Sequence, residues 1–183
     1  MAFKNKLIQN PKTGQSIRFL QTAKDNDDNV LEMEAVYRPY SIIPAEHFHP
    51  YQEEDFYVLK GELTIRVEEK LRILRVGESI HIRRNIPHAM WNQSGRETII
   101  QWKVYPAMQT EYLLETMFGL AGDNKTNEKG MPPFLQTILI AKQFSDVMRL
   151  SKPPYAVQKV LFGVLAPVAV LFGFKPLYRK YLG

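Results

Sequence analysis

The chain has 183 residues with 45% hydrophobic content, a net charge of +5, a sequence pI near 9.3 and no cysteine. That composition suits one packed domain with an extension, and it excludes disulfides and thiolate metal sites. The positive balance is modest and dispersed, with no recognition helix or basic–aromatic pattern, so nucleic acid is not an expected partner.

Residues 1–14 read as a polar lead-in with turn signals at Asn10-Pro11 and Thr13-Gly14. Met1 to Lys6 runs into polar residues, not into an apolar core, so no secretory signal is expected. A cytoplasmic setting fits the lack of cysteine. Ser16 to Thr22 predicts a strand with Ile17 and Phe19 on one face. Val30 to Arg38 predicts a longer one, with Leu31, Met33, Ala35 and Tyr37 alternating against Glu32 and Glu34. Pro39 and Pro44 end that run. Phe56 to Val67 resembles a hairpin bent at Lys60-Gly61-Glu62. Glu68 to Lys70 turns, Leu71 to Val76 returns, and Gly77-Glu78 turns again. Ile80 and Ile82 face inward, so His81 faces out. A strand starting at Ile86-Pro87-His88 and another over Glu97 to Tyr105 close the β-rich part.

Many short strands joined by turns, with no helix between them, indicate an antiparallel sandwich or barrel. The period then changes. Glu111 to Leu120 predicts a short helix, Ala121 to Pro133 a polar connector, and Phe134 to Leu150 a second helix, before Pro153-Pro154 breaks the chain. The division expected is 1–108 for the β-domain and 109–183 for a helical extension. Val160 to Phe174 carries no charged residue and has basic neighbours in Lys159, Lys175, Arg179 and Lys180. Fifteen residues with Pro167 among them fall short of the roughly 20 that a membrane span needs. Packing on the barrel or on a dimer mate is the first reading of this tail, and interfacial membrane contact the second, kept open by Tyr178 and Tyr181 beside the basic residues.

The chemistry lies in residues 47–92. His47, His49 and His88 are three of the chain's four histidines, and Glu54 is spaced between them. Imidazole with carboxylate suits a divalent first-row metal: iron, manganese, nickel, copper or zinc. Side chains two apart on a strand share a face, so His47 and His49 reach one side together. If Phe56 and Val58 face inward, Glu54 does too, and Glu53 and Asp55 point away. On the later strand His88, Met90 and Asn92 share a face.

His47-x-His49, Glu54 and Gly61, followed by Gly77, Arg83, Asn85, His88 and Asn92, resemble the two motifs of the cupin superfamily over about residues 15–105. Ser41 stands where the first motif usually opens with Gly, Arg83 where the second usually has Pro, and Asn85 where it has Gly. Asn visits left-handed backbone angles, which makes the last change tolerable. The resemblance implies an all-β fold, a double-stranded β-helix or jelly-roll barrel, with one metal on His47, His49, Glu54 and His88. At the ligand level the chain is similar to the quercetinase-like cupin dioxygenases. That implies a small chelating organic substrate in a pocket lined by Phe56, Val58, Met90, Asn92, Ile100 and Trp102, with Glu54 serving as ligand or as catalytic base; a homodimer is the expected assembly. A non-catalytic small-ligand-binding cupin and a cupin isomerase or decarboxylase are the alternatives, because fold does not choose among them.

Overall fold

The computed structural model describes residues 2–25 and 27–182. Its strands are β1 (Leu7–Gln9), β2 (Ser16–Gln21), β3 (Leu31–Tyr37), β4 (His47–Phe48), β5 (Glu53–Lys60) and β6 (Glu62–Val67). They continue as β7 (Lys70–Arg75), β8 (Ser79–Ile82), β9 (His88–Trp91), β10 (Thr98–Tyr105) and β11 (Arg149–Leu150). Three helices follow the β-rich part: α1 (Thr110–Gly122), α2 (Phe134–Gln143) and α3 (Tyr155–Leu171).

The strands form two antiparallel sheets, ordered β1-β2-β3-β10-β5-β8 and β11-β4-β9-β6-β7. The sheets stay separate, without a shared ladder among the described residues. One apolar core joins them, drawing Ile17, Phe19, Met33, Phe56, Val58 and Ile100 from the first sheet and Leu63 and Ile65 from the second. Each of these is fully buried because the alternation of every strand turns its apolar set the same way.

Three local expectations are corrected. The lead-in contains a strand, β1, whose Leu7 to Gln9 pair with Arg18 to Ser16 of β2. Phe56 to Val67 is not a hairpin. β5 pairs with β10 and β8, whereas β6 pairs with β7 and β9, so the chain crosses between sheets at Gly61. Alternation reports which face a side chain takes but not which strand lies beside it. Gly61 has φ +75°, and a Cβ there would sit 2.4 Å from the Glu97 carbonyl oxygen, so the crossing needs glycine. The helix expected over Phe134 to Leu150 stops at Gln143, because Arg149 and Leu150 are drawn into an extended pairing with Phe48 and His47 of β4.

The helices are tied back to the sheets. Gln158 of α3 donates to the Leu150 and Pro153 carbonyls at 2.9 and 2.7 Å. Lys6, before β1, reaches the buried Glu115 of α1 at 2.5 Å. Phe162, Ala166 and Ala169 of α3 pack on Ile138 and Leu139 of α2.

Candidate metal centre

β4 and β9 lie side by side with His47 directly opposite His88. The two prongs His47 and His49 therefore meet the third imidazole across one ladder. The three ring centroids are 4.6 to 5.4 Å apart, and one ligand nitrogen from each lies within 4.8 Å of the others. Glu54, on β5 of the facing sheet, has its Oε2 2.9 Å from His88 Nε2 and 3.3 Å from His49 Nε2. Its inward direction follows from parity: Glu54, Phe56 and Val58 are buried, while Glu53 and Asp55 are only partly so. His81 faces out as expected, where its Nδ1 meets Asp55 at 2.9 Å.

The ring nitrogens are oriented by the backbone. His47 Nδ1 lies 3.1 Å from the Ala45 carbonyl, His88 Nδ1 2.9 Å from that of Ile86, and His49 Nδ1 2.7 Å from that of Val147. A carbonyl only accepts, so each Nδ1 carries the hydrogen and donates it. Each Nε2 is thereby left with its lone pair free for a ligand. Asn85, at the position where glycine is usual, has φ +63° and donates its N–H to the His49 carbonyl at 2.8 Å. The left-handed turn thus props the His49 backbone.

The electrostatics of the set suit a cation. Burial, with the neighbouring imidazoles His88 and His49, pushes His47 down to about 3, so its ring is neutral at ordinary pH. Burial opposes charge on His49 as well, but the Glu54 carboxylate outweighs it and lifts His49 above its usual value. Glu54 is buried, which disfavours its charge, yet the two imidazoles beside it hold it well below the carboxylate range. Nε2 of His49, Nε2 of His88 and Oε2 of Glu54 are buried without a well-aligned hydrogen bond. Buried polar atoms are normally satisfied. Donors 2.9 and 3.3 Å apart stand at the separation of neighbouring ligands around one ion with bonds of about 2.1 Å. The residues present fit a divalent metal.

Some support around the centre was not legible in the sequence. Trp102, expected to line a pocket, donates its indole N–H to Glu54 Oε1 at 3.0 Å and stacks on Phe56. Gln52 is fully buried, with its Oε1 3.3 Å from His49 Nδ1 and its amide donating to Pro106 O, Ala107 O and Thr110 Oγ1. Val147 comes from the C-terminal segment, 98 residues beyond the ring it holds. Asn92 is fully buried, and its amide nitrogen donates to the carbonyls of Tyr37, Arg38 and Arg96. Its amide therefore organises the turn after β9. Phe56, Val58 and Ile100 lie in the sealed core and Met90 is buried beside them, whereas Trp102 is half-buried at the core's edge.

Fold and site together define a β-rich domain built to hold three imidazoles and a carboxylate. Residues 33–102, less than half of the chain, match the Cupin_2 family, described as a cupin domain. Similar solved structures include the Cupin_2 domain of an XRE family transcriptional regulator from Enterobacter cloacae, at 18% identity and TM-score 0.43, covering 49% of this chain and 94% of that one. A predicted oxalate decarboxylase from Thermotoga maritima is 16% identical with TM-score 0.49 over 55% of this chain and 90% of that one. A sugar phosphate isomerase from a cupin superfamily of Silicibacter pomeroyi is 13% identical with TM-score 0.47 over 54% and 69%. None of the three implies a shared reaction. No curated protein matches the chain.

Proposed function

We propose that this protein is a metal-dependent cupin holding one divalent iron, manganese, nickel, copper or zinc ion on His47, His49, His88 and Glu54, and that it acts as a dioxygenase on a small chelating organic substrate. In this reading residues 1–108 form the facing halves of a jelly-roll barrel, and residues 109–183 are a helical extension that adds β11 to the edge of the second sheet. The observation that carries the proposal is the convergence of lone-pair-bearing Nε2 atoms and a buried, ionised carboxylate at the edge of an apolar interior.

When bound, the metal supplies Lewis acidity toward an anionic substrate oxygen, together with an open coordination position. The chain's residues do the rest. Glu54 serves as a ligand through Oε2, or releases the metal and then takes the proton of an enolic hydroxyl on that oxygen, while the Trp102 N–H keeps Oε1 fixed. Met90 and the half-buried Trp102, at the edge of the core that Phe56, Val58 and Ile100 seal, keep water from the reacting carbon. A flavonol or a 1,3-diketone suits such a site because it offers two oxygens and an acidic hydrogen.

The test has two stages. Metal analysis of the purified chain is expected to return about one first-row ion per protein. Oxygen uptake is then measured with a panel of flavonols and 1,3-diketones on iron-, nickel- and manganese-loaded protein. Silence across the whole panel would remove the oxygenase and leave a metal-holding binding module.

A further inference from the structure

The chain's positive charge, expected above to be dispersed, is concentrated in one segment. Residues 147–183 hold six basic residues (Arg149, Lys152, Lys159, Lys175, Arg179 and Lys180) and no acid. Taking those six from the 24 basic residues of the chain leaves eighteen, against 19 acidic ones, for residues 1–146. The whole cationic excess therefore belongs to the segment that contains α3.

α3 turns one apolar face inward and a second outward. Phe162, Ala166 and Ala169 are buried against α2. Val157, Val160, Leu161, Val164, Val168 and Leu171 are all exposed. At 100° per residue these six fall within an arc of about 100°, a continuous stripe along a helix of about 25 Å. Val160 is 66% exposed, Val164 64%, Leu171 86% and the following Phe172 73%. Scattered exposed apolar residues need no account, but a contiguous stripe of this kind marks an interaction surface. Lys142 borders the groove between α2 and α3 together with Pro167, Val170 and Leu171. Lys142, Lys159, Lys175 and Arg179 form no ion pair among the described residues, whereas Lys180 is paired with Asp123 and Arg149 with Asp146.

We infer that this face docks on an anionic phospholipid surface, with α3 lying in the plane of the interface. The charge pattern selects that occupant. A two-fold contact between copies through this face would bring together two acid-free segments, each with Lys152, Lys159, Lys175 and Arg179 outside any ion pair among the described residues, whereas a bilayer bearing anionic headgroups offers the opposite sign beside an apolar layer. A crossing is not implied, since no described helix is long and apolar enough to span a membrane. Docking in the plane needs only the exposed arc.

The experiment uses the full chain with phosphatidylcholine vesicles, with and without phosphatidylglycerol, in a flotation assay at low and raised salt. The chain should float with the anionic vesicles and about tenfold less with phosphatidylcholine alone or in raised salt. The variant Val164→Glu with Leu171→Glu should abolish flotation, and Lys142→Glu with Lys175→Glu and Arg179→Glu should cut it by at least about tenfold. Neither variant should change metal content or the unfolding midpoint, which separates the docking face from the metal centre. Failure of the parent chain to float, or equal flotation by the stripe variant, would overturn the inference. So would salt-independent binding to neutral vesicles. A dimer in light scattering that the stripe variant dissociates, with no flotation, would assign the face to a second copy instead.

Discussion

The interior between the sheets and the outer face of α3 are built from the same kinds of residue, yet they end in opposite environments. Phe56, Val58 and Ile100 have no exposed surface, whereas Val160, Val164 and Leu171 are open. The inward apolar faces of the two sheets find each other, because two facing layers can seal each other. α3 packs its buried face on α2, and one helix covers one side of another. An apolar residue thus stabilises the fold only where the topology supplies a partner surface, and elsewhere the same side chain is available for binding.

The contrast is broken most directly by truncation. Phe56→Ala should cost about 3–5 kcal/mol of stability in denaturant titration, the range for emptying a large aromatic site in a packed core. His88→Ala should lose the metal altogether, read as the fall from one ion per chain to none, while the sheets persist. Trp102→Phe keeps the stacked ring and deletes only the N–H to Glu54, so it should weaken metal affinity by roughly tenfold in a chelator competition. A cost of Trp102→Phe in stability alone, with unchanged affinity, would make the indole structural.

The pH dependence sharpens the same comparison. His49 is lifted above its ordinary value of 6.5, so a proton competes for its Nε2 already at pH values where a free imidazole would be neutral. The sign follows. Lowering the pH through the raised value fills that nitrogen, and metal affinity should fall by up to about tenfold per pH unit for the one proton displaced. Calorimetry in buffers of different ionisation enthalpy counts that proton, and zero release would contradict the assignment. The smallest effect is expected on the tail, where Val164→Ala should alter stability by less than about 0.5 kcal/mol.

Much of the centre was legible because a strand's side-chain period is two. The pairing of His47 with His49, the inward turn of Glu54 with Phe56 and Val58, and the outward turn of His81 are parity statements, and parity is local. The left-handed Asn85 was legible for a similar reason, since a short polar side chain tolerates positive φ. Trp102 was read as a pocket wall because alternation reports the face of a side chain but not the group its N–H meets. Val147 and the bonds that anchor Gln52 to residues 106–110 left no signal, since they join positions far apart in the chain.

The amino-acid order alone determined the strand-rich first part, the four candidate metal-binding groups, the change to helical period near residue 110 and the acid-free basic tail, because each is a property of neighbours or of composition. Only the tertiary structure decided that the chain crosses between sheets at Gly61, that Arg149 and Leu150 leave the helical pattern to pair with β4, and that the Val147 carbonyl holds the His49 ring. It also decided which of α3's two apolar faces was buried. Those outcomes depend on which surfaces meet in space, and a one-dimensional pattern of polarity carries no record of that meeting.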